Sequence, residues 1–395
     1  MRSSDACFWG TVTHMTEGFS LLGGPLHRLA CRTGLVRGGT DTTAVGLALG
    51  GGLWLALMTL AFADGIAGQV FSLSKLSAHV RLLIVIPLLF HVEALVDPRI
   101  TSFIATLRGS GTVPARSVPA LEAVLAPVVR WKDSWLPDAI CMLAAVVVAT
   151  TAQYLPLVGV TAGPRAGETA LASALLWACW AACLALFRFL LLRCFLRLML
   201  WVYLLFRISR LELHLVPTHP DGVAGLGYLE VVQSHYWPLV AGLSAVQSAS
   251  LVEELSTGAI PFNGIVPAVA AVVIVDVVLF VGPLFLFFSK LWACQVKGLR
   301  DYMELGADYV SRFERKWVDG RATLDEPLLG TADLQSLADL NNSVAVVRNM
   351  RLIPASRLLF MGLAFAAVGP MAPLLLFQYP LSELALKFFS RLTGF

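Results

Sequence analysis

Apolar stretches long enough to cross a lipid bilayer recur along this chain, and they constrain its fold more than any other feature. A helix needs about 17–25 residues to cross roughly 30 Å of hydrocarbon. Long uninterrupted apolar runs favour helices over barrel strands, whose side chains alternate between lipid and lumen. The sequence therefore predicts an all-α, polytopic helical membrane protein with about seven transmembrane helices. The predicted spans are Thr43–Phe62, Val80–Val96, Pro137–Val158, Thr169–Leu191, Trp237–Leu255, Gly264–Phe288 and Ser356–Gln378.

Composition agrees with a membrane location and excludes several classes of protein. Of the 395 residues, 57% are hydrophobic and only 14% are charged, whereas soluble domains carry about 25% charged residues. An ordinary soluble enzyme and a disordered chain are both excluded. The net charge of +3 is too small to indicate a nucleic-acid partner. The expected partners are the lipid bilayer, a small ion and further copies of this chain as a homo-oligomer.

The distribution of lysine and arginine predicts how the spans are oriented. Basic residues crowd the segments after the second and sixth spans, whereas the connections 66–74, 159–168 and 256–263 contain Arg165 as their one basic residue. Basic loops stay on the cytoplasmic side. We therefore expect a cytoplasmic N-terminus and an outer C-terminus.

Two spans are expected to extend beyond the bilayer. The stretch 169–211 contains no Gly or Pro, and one helix of that length would be about 64 Å long. Either the fourth helix continues into the cytoplasm, or the chain reverses near Arg188 and crosses again; the lack of turn residues favours the long helix. The sixth span likewise continues as helical sequence to Trp317.

The predicted organisation has four parts. Residues 1–42 form a cytoplasmic N-terminal segment, and 43–289 form the transmembrane bundle. Residues 290–354 form a cytoplasmic helical hairpin, with a loop over 318–331 and a return helix over 332–350. Residues 355–395 hold the last span and an amphipathic tail at 381–392, which suits a membrane surface.

The segment Leu213–Leu229, with the sequence LHLVPTHPDGVAGLGYL, concentrates polar side chains and glycines. His214, His219 and Asp221 are residue types that bind metals and handle protons, and the glycines permit turns that expose N–H groups to an anion. One hypothesis is therefore a metal, proton or anion site. The alternative is a polar loop in which Asp221 caps the next helix and the glycines turn the chain.

This His-Pro-Asp-Gly segment resembles a stretch found in uncharacterised multi-pass inner-membrane proteins of bacteria. The similarity extends to the second span, which ends LLFHVEALVDPR over Leu88–Arg99. The resemblance implies a location in the bacterial inner, or cytoplasmic, membrane, and it implies no activity.

Polar side chains within the spans are candidates for an ion pathway. Such groups are costly in lipid, so they face a bundle interior or a water-filled route. Asp276 is the most distinctive because apolar residues flank it on both sides; its alternative role is a structural pair with a buried His or Arg. Glu253 and Glu254 alternatively lie at the outer interface. The candidates are Asp276, His91, Glu93, Gln247, Glu253 and Glu254.

Arginines follow one side of the predicted long helix. Helical periodicity places them within about half of its circumference. They could line a vestibule that attracts anions, or they could reach anionic lipid headgroups and fix the topology. These residues are Arg188, Arg193, Arg197, Arg207 and Arg210.

Three functions are consistent with these sequence features. The sequence lacks the P-loop, the H-E-x-x-H zinc helix and the G-x-S-x-G elbow, so an enzyme is the weaker hypothesis and no cofactor is expected. The first hypothesis is a channel-like or transport protein for a small ion. The second is a scaffold or signalling protein that binds a partner through its cytoplasmic helices. The third is a membrane-embedded metal enzyme using the His-Pro-Asp-Gly segment.

Overall fold

The computed structural model describes residues 19–20, 42–151, 171–261, 264–319 and 332–377. Most of the predicted N-terminal segment 1–42, the connection 159–168, most of the loop 318–331 and the tail 381–392 lie outside these residues. The helices are α1 (Thr42–Ala63), α2 (Leu76–Gly109), α3 (Val118–Asp133), α4 (Leu136–Thr151), α5 (Leu171–Ser209), α6 (Tyr228–Ser234), α7 (Trp237–Ser256), α8 (Ile265–Phe280), α9 (Phe288–Phe313), α10 (Ala332–Arg348) and α11 (Arg357–Val368).

The described residues contain helices and no strands, which confirms the all-α prediction. Five helices are long and apolar enough to cross a membrane, and α4 adds a shorter apolar helix. Large apolar side chains remain exposed on these helices, for example Phe365 at 80% and Val278 at 66%. Exposed apolar surface of this kind is suited to contact with lipid rather than water. These helices are therefore typical of a membrane protein. The five helices are Thr42–Ala63, Leu76–Gly109, Ala178–Ser209, Ile265–Asp319 and Arg357–Leu375.

Helix α5 runs without interruption over Leu171–Ser209. This confirms the long fourth helix and excludes a reversal of the chain near Arg188. No Gly or Pro interrupts its sequence, so nothing weakens its backbone hydrogen bonds. Its second half packs against α2 and α3, and Trp201 and Phe103 meet edge to face there with ring centroids 5.7 Å apart.

Helix α7 forms at the predicted fifth span. It is not among the five described helices that are both long and apolar enough to cross a membrane. Buried residues on α7 include Ser244, Ser248 and Glu253, because α2, α11 and the 3₁₀ segment Gly369–Phe377 pack around it. Helix α7 therefore carries buried polar side chains between its neighbours.

Helix α2 is longer than predicted and contains a π-helical turn. Pro87 has no N–H to donate, and the turn before it, Arg81–Val85, is π-helical. The N–H of Ile86 donates to the carbonyl of Arg81 across this wider turn. Gly50 of α1 lies directly against the carbonyl of Leu82, a closeness that a larger residue would prevent.

Contacts between distant residues set the helix registers. Helices α1 and α2 are antiparallel, as are α2 and α7, and one ion pair joins α4 to α5. The pairs that define these registers are Thr43 with His91, Trp54 with His79, Asp138 with Arg193, Ser77 with Glu253, and Arg99 with His235.

Helices α9 and α10 form a hairpin outside the most apolar part of the bundle. Helix α9 continues in π-helical turns over Glu314–Asp319, and α10 begins at Ala332. The Tyr309 hydroxyl donates to the carbonyl of Asp333 at 2.8 Å, and Gln295 Nε2 donates to the carbonyl of Val347 at 3.2 Å. The continuation through Trp317 and the return helix are both confirmed.

Candidate functional site

The clearest charged contact inside the bundle joins α2 to α5. Arg197 Nη1 lies 2.6 Å from Glu93 Oε2, with side chains only 14% and 13% exposed. Both residues line a cavity of about 30 Å³, which Asp97 and Tyr236 also line. A cavity of this size holds one or two water molecules. Glu93, a predicted pathway residue, is therefore the partner of a predicted stripe arginine, beside a space that can be hydrated.

One helical turn away on α5, Arg193 meets the start of α4. Its Nε lies 3.6 Å from Asp138 Oδ1, and the side chains are 9% and 17% exposed. Buried guanidinium groups are tolerated only where carboxylates or other acceptors balance the loss of hydration. The first turn of α4 therefore supplies a carboxylate to the inner face of α5.

A third group of charges lies nearer the start of α5. Arg188 and Arg81 are 8% and 6% exposed, and Glu253 of α7 is 7% exposed. Glu253 Oε1 accepts the backbone N–H of Ser77 at 2.8 Å. The Arg81 guanidinium carbon lies 5.9 Å from the centre of the Phe187 ring, next to Arg188 in sequence. Both arginines are therefore inside the bundle rather than at its surface.

We call these buried charged side chains together the charged seam. It has two parts: Arg193 and Arg197 of α5 meet carboxylates of α4 and α2, whereas Arg188 lies nearer the start of α5. Charges at membrane depth cost about 2.5–3.5 kcal/mol each when unpaired, so the packing of α5 depends on these partners. The charged seam comprises Arg81, Glu93, Asp138, Arg188, Arg193, Arg197 and Glu253.

Asp276 lies apart from the charged seam. It is 3% exposed on α8, and its Oδ2 has no hydrogen-bond partner among the described residues. A pair between Asp276 and His91 is not formed, because His91 Nδ1 instead lies 3.1 Å from the hydroxyl of Thr43. Among the described residues, Asp276 is therefore a buried carboxyl group with one unpaired oxygen.

The other predicted residues occupy different surroundings. Gln247 and Glu254 are half-buried on α7. Arg207 and Arg210 lie near the end of α5, where their guanidinium groups stack on Tyr203 and Phe206 at 5.8 Å and 5.0 Å. The structure therefore divides the predicted arginine stripe into an interior part and an outer part.

The His-Pro-Asp-Gly segment folds around the carboxylate of Asp221. The backbone N–H groups of Val223, Gly225 and Gly227 donate to it at 2.9, 3.0 and 2.8 Å. His219 Nδ1 lies 2.9 Å from Asp221 Oδ1. Gly225 has a positive φ of 99°, and a Cβ on Gly227 would lie 2.9 Å from Asp221 Cβ. The glycines therefore allow the chain to wrap the carboxylate.

Backbone hydrogen bonds determine the charge state of this carboxylate. Burial on its own would raise the pKa of Asp221, but the N–H groups of Val223, Gly227 and Gly225 and the His219 side chain together lower it. Asp221 organises its own loop in this way. Asp221 also accepts the N–H of Gly227, the residue directly before α6, so its carboxylate binds the start of the next helix.

Arg351 attaches the segment before α11 to this loop. Its Nη1 donates to Glu230 Oε2 at 2.9 Å, its Nη2 to the Asp221 carbonyl at 3.0 Å, and its backbone N–H to the Gly222 carbonyl at 2.8 Å. The Ser356 hydroxyl donates to Glu230 as well and accepts the N–H of Leu359 at the start of α11. The loop is therefore a junction between α6 and α11.

A metal site is not assembled from the predicted ligands. Within the described ranges, no group of three or more His, Cys, Asp and Glu side chains is placed to hold a metal ion. The backbone N–H of His214 donates to the Thr112 carbonyl at 2.7 Å, and Asp221 already accepts several hydrogen bonds.

Sequence reasoning missed Arg81 and Asp138. Arg81 stands inside the apolar stretch Val80–Val96, where a charge indicates an interior position. Asp138 lies at the start of an apolar stretch and reads as an ordinary first-turn carboxylate. The first residue had a usable signal, whereas the second became significant only through its contact with α5.

The fold and these contacts define an all-α membrane protein with charged side chains inside its helix bundle. Comparisons with protein-family models, with curated proteins and with solved structures found no match to the chain.

Proposed function

We propose that this protein transports a small ion across the membrane, with the charged seam as the element that handles the ion. The observation that carries the proposal is the buried ion pair of Glu93 with Arg197, which lines a cavity of about 30 Å³. A second ion pair, of Asp138 with Arg193, is buried one helical turn away on α5. Charged residues at membrane depth mark ion pathways and proton relays. Asp276, Gln247 and Glu254 on the neighbouring helices are further pathway candidates.

The proposed topology has seven spans, adding α4 and α7 to the five most apolar helices. The antiparallel pairs α1–α2 and α2–α7 support it, because the second span would then cross in the direction opposite to both the first and the fifth. The basic segments after the second and sixth spans favour a cytoplasmic N-terminus, with the His-Pro-Asp-Gly loop and the α9–α10 hairpin on the cytoplasmic side. The resemblance of that loop favours the bacterial inner membrane, and a homo-oligomer remains part of the proposal.

The test is ion flux into liposomes that contain the purified full-length protein, under gradients of H⁺, Na⁺, K⁺ and Cl⁻. The double variant Glu93→Gln with Arg197→Gln keeps the net charge and the approximate shape of the pair. We expect it to lower flux at least about tenfold, equivalent to about 1.4 kcal/mol in the barrier.

The matched control is Asp308→Asn with Arg312→Gln, which neutralises an exposed ion pair on α9 whose atoms lie 2.9 Å apart. This control should leave flux unchanged. Wild-type protein that moves none of the four ions would contradict the proposal for those ions, and equal flux in both double variants would remove the charged seam from the pathway.

A scaffold that binds a partner is the second candidate function. One observation favours it: Trp292, Val296, Met303 and Val310 of α9 are between 41% and 52% exposed. Spacings of four and seven residues place these side chains within about 40° on one side of the helix. An apolar stripe on an otherwise charged helix suits a protein partner. A wild-type protein without measurable ion flux would favour this function.

A further inference from the structure

Two arginines of the charged seam have guanidinium N–H groups for which the described residues provide no hydrogen-bond acceptor. Arg81 Nε and Arg188 Nη1 are buried and have no hydrogen-bond partner among the described residues. Both side chains are more than nine-tenths buried, at 6% and 8% exposure. They differ in this from Arg193 and Arg197, which each have a carboxylate partner.

The charges around these two arginines do not balance. Arg188 and Glu253 both lie close enough to act electrostatically on Arg81. Glu253 is the acidic group described near them, and one of its oxygens already accepts the N–H of Ser77. Among the residues that the structure describes, two guanidinium groups and one carboxylate leave one positive charge here.

Loss of a proton cannot remove this charge. A buried Lys or His becomes neutral when desolvation is severe, but a guanidinium group stays protonated in proteins. An isolated charge in a medium of low dielectric is strongly unfavourable. The remaining way to balance the charge is a bound anion.

We propose that Arg81 and Arg188 together bind a small monovalent anion of the chloride class. One negative charge balances the group, and the burial of both side chains restricts the site to a small ion. The π-helical turn that begins at Arg81 supports this assignment, because such turns are frequent at functional sites. The inference rests on the proposed ion transport and names the class of ion, but its test measures binding rather than flux.

The test is thermal unfolding of the purified full-length protein in detergent, with chloride replaced stepwise by gluconate at constant ionic strength. A ligand that binds only the folded state raises the unfolding temperature in a saturable way. We expect this rise in the wild type and its loss in Arg188→Gln. Without chloride, Arg188→Gln should unfold at the wild-type temperature or above it, because the variant leaves Arg81 and Glu253 as a balanced pair.

Arg207→Gln is the matched control, because Arg207 lies near the end of the same helix and stacks on Tyr203 at its surface. It should keep the chloride-dependent rise. Glu253→Gln provides a second variant, since the amide keeps an oxygen that can accept the N–H of Ser77. Removing the negative charge should tighten chloride binding, so the midpoint of the rise should move to lower chloride.

Absence of a saturable rise in the wild type would overturn the anion site, and so would an unchanged rise in Arg188→Gln. If Arg188→Gln does not fold, the test depends on Glu253→Gln. A midpoint that stays at the wild-type chloride concentration, or that moves to higher chloride, then overturns the anion site. Chloride binding without ion flux would contradict the proposed transport but support the anion site. Ion flux without chloride binding would contradict the anion site but support the proposed transport.

Discussion

The charged seam and the His-Pro-Asp-Gly loop use the same kinds of residue in opposite ways. In the loop, Asp221 accepts hydrogen bonds from backbone N–H groups that lie a few residues away. In the charged seam, Glu93 and Asp138 meet arginines of a different helix. The loop therefore satisfies its charge locally, whereas the seam depends on how the helices pack.

This difference separates structural roles from functional ones. A carboxylate held by its own backbone is a stable part of the fold and leaves little capacity for a ligand. Guanidinium groups such as those of Arg81 and Arg188, buried without enough acceptors, are placed to interact with something further. The predicted site residues of the loop thus stabilise a junction, and the best candidates for ion handling lie in the charged seam.

The largest effect is expected in the charged seam. Glu93→Ala leaves Arg197 without its carboxylate partner in the interior, and breaking a buried pair in this way costs about 3–5 kcal/mol. The free energy of unfolding, measured in detergent with denaturant, should fall by that amount. The double variant Glu93→Leu with Arg197→Met removes both charges and should recover most of the loss. A double variant as unstable as Glu93→Ala would show that the pair itself is not the cause.

A smaller effect is expected in the loop. Asp221→Asn keeps the shape of the side chain but removes the charge, and one of its atoms becomes a donor facing N–H groups. We expect a loss of about 2 kcal/mol in the free energy of unfolding, because hydrogen bonds to charged groups contribute about 1.5–3 kcal/mol. Asp301→Asn, at an exposed position of α9, is the control and should have little effect.

The effect of Asp221→Asn should also depend on pH. The pKa of Asp221 is lower in the folded protein than the unfolded value of about 3.9. The carboxylate therefore stabilises the fold fully above that pH, and the contribution is lost as pH falls through the folded pKa. The difference between wild type and variant should shrink in acid, and a constant difference would contradict the assignment.

The smallest effect is expected where a charge pair is exposed. Arg312 and Asp308 on α9 lie 2.9 Å apart, with side chains 72% and 57% exposed. Surface pairs at this spacing contribute about 0.3–0.5 kcal/mol. Arg312→Ala should change the free energy of unfolding by no more than that in the same denaturant experiment. A loss comparable with that of Glu93→Ala would mean that pairing rather than burial governs all these contacts.

Much of the fold was predictable from the sequence. Helix α5 was predictable because an apolar stretch without Gly or Pro has no place to turn, and α9 was predictable because helical sequence continues past its apolar part. The burial of the polar residues of α7 was not predictable. Its serines and Glu253 suggest only an ordinary, moderately polar span, and the helices that surround it decide that it is buried.

The sequence by itself indicated a helical membrane protein, the approximate positions of its long apolar helices, and the presence of charges within its apolar segments. These properties depend on local composition and periodicity, which act within a single helix. Only the tertiary structure decided that Glu93 pairs with Arg197 and Asp138 with Arg193, and that Arg81 and Arg188 are left with too few acceptors. Those contacts join residues far apart in the chain, so the register between packed helices determines them.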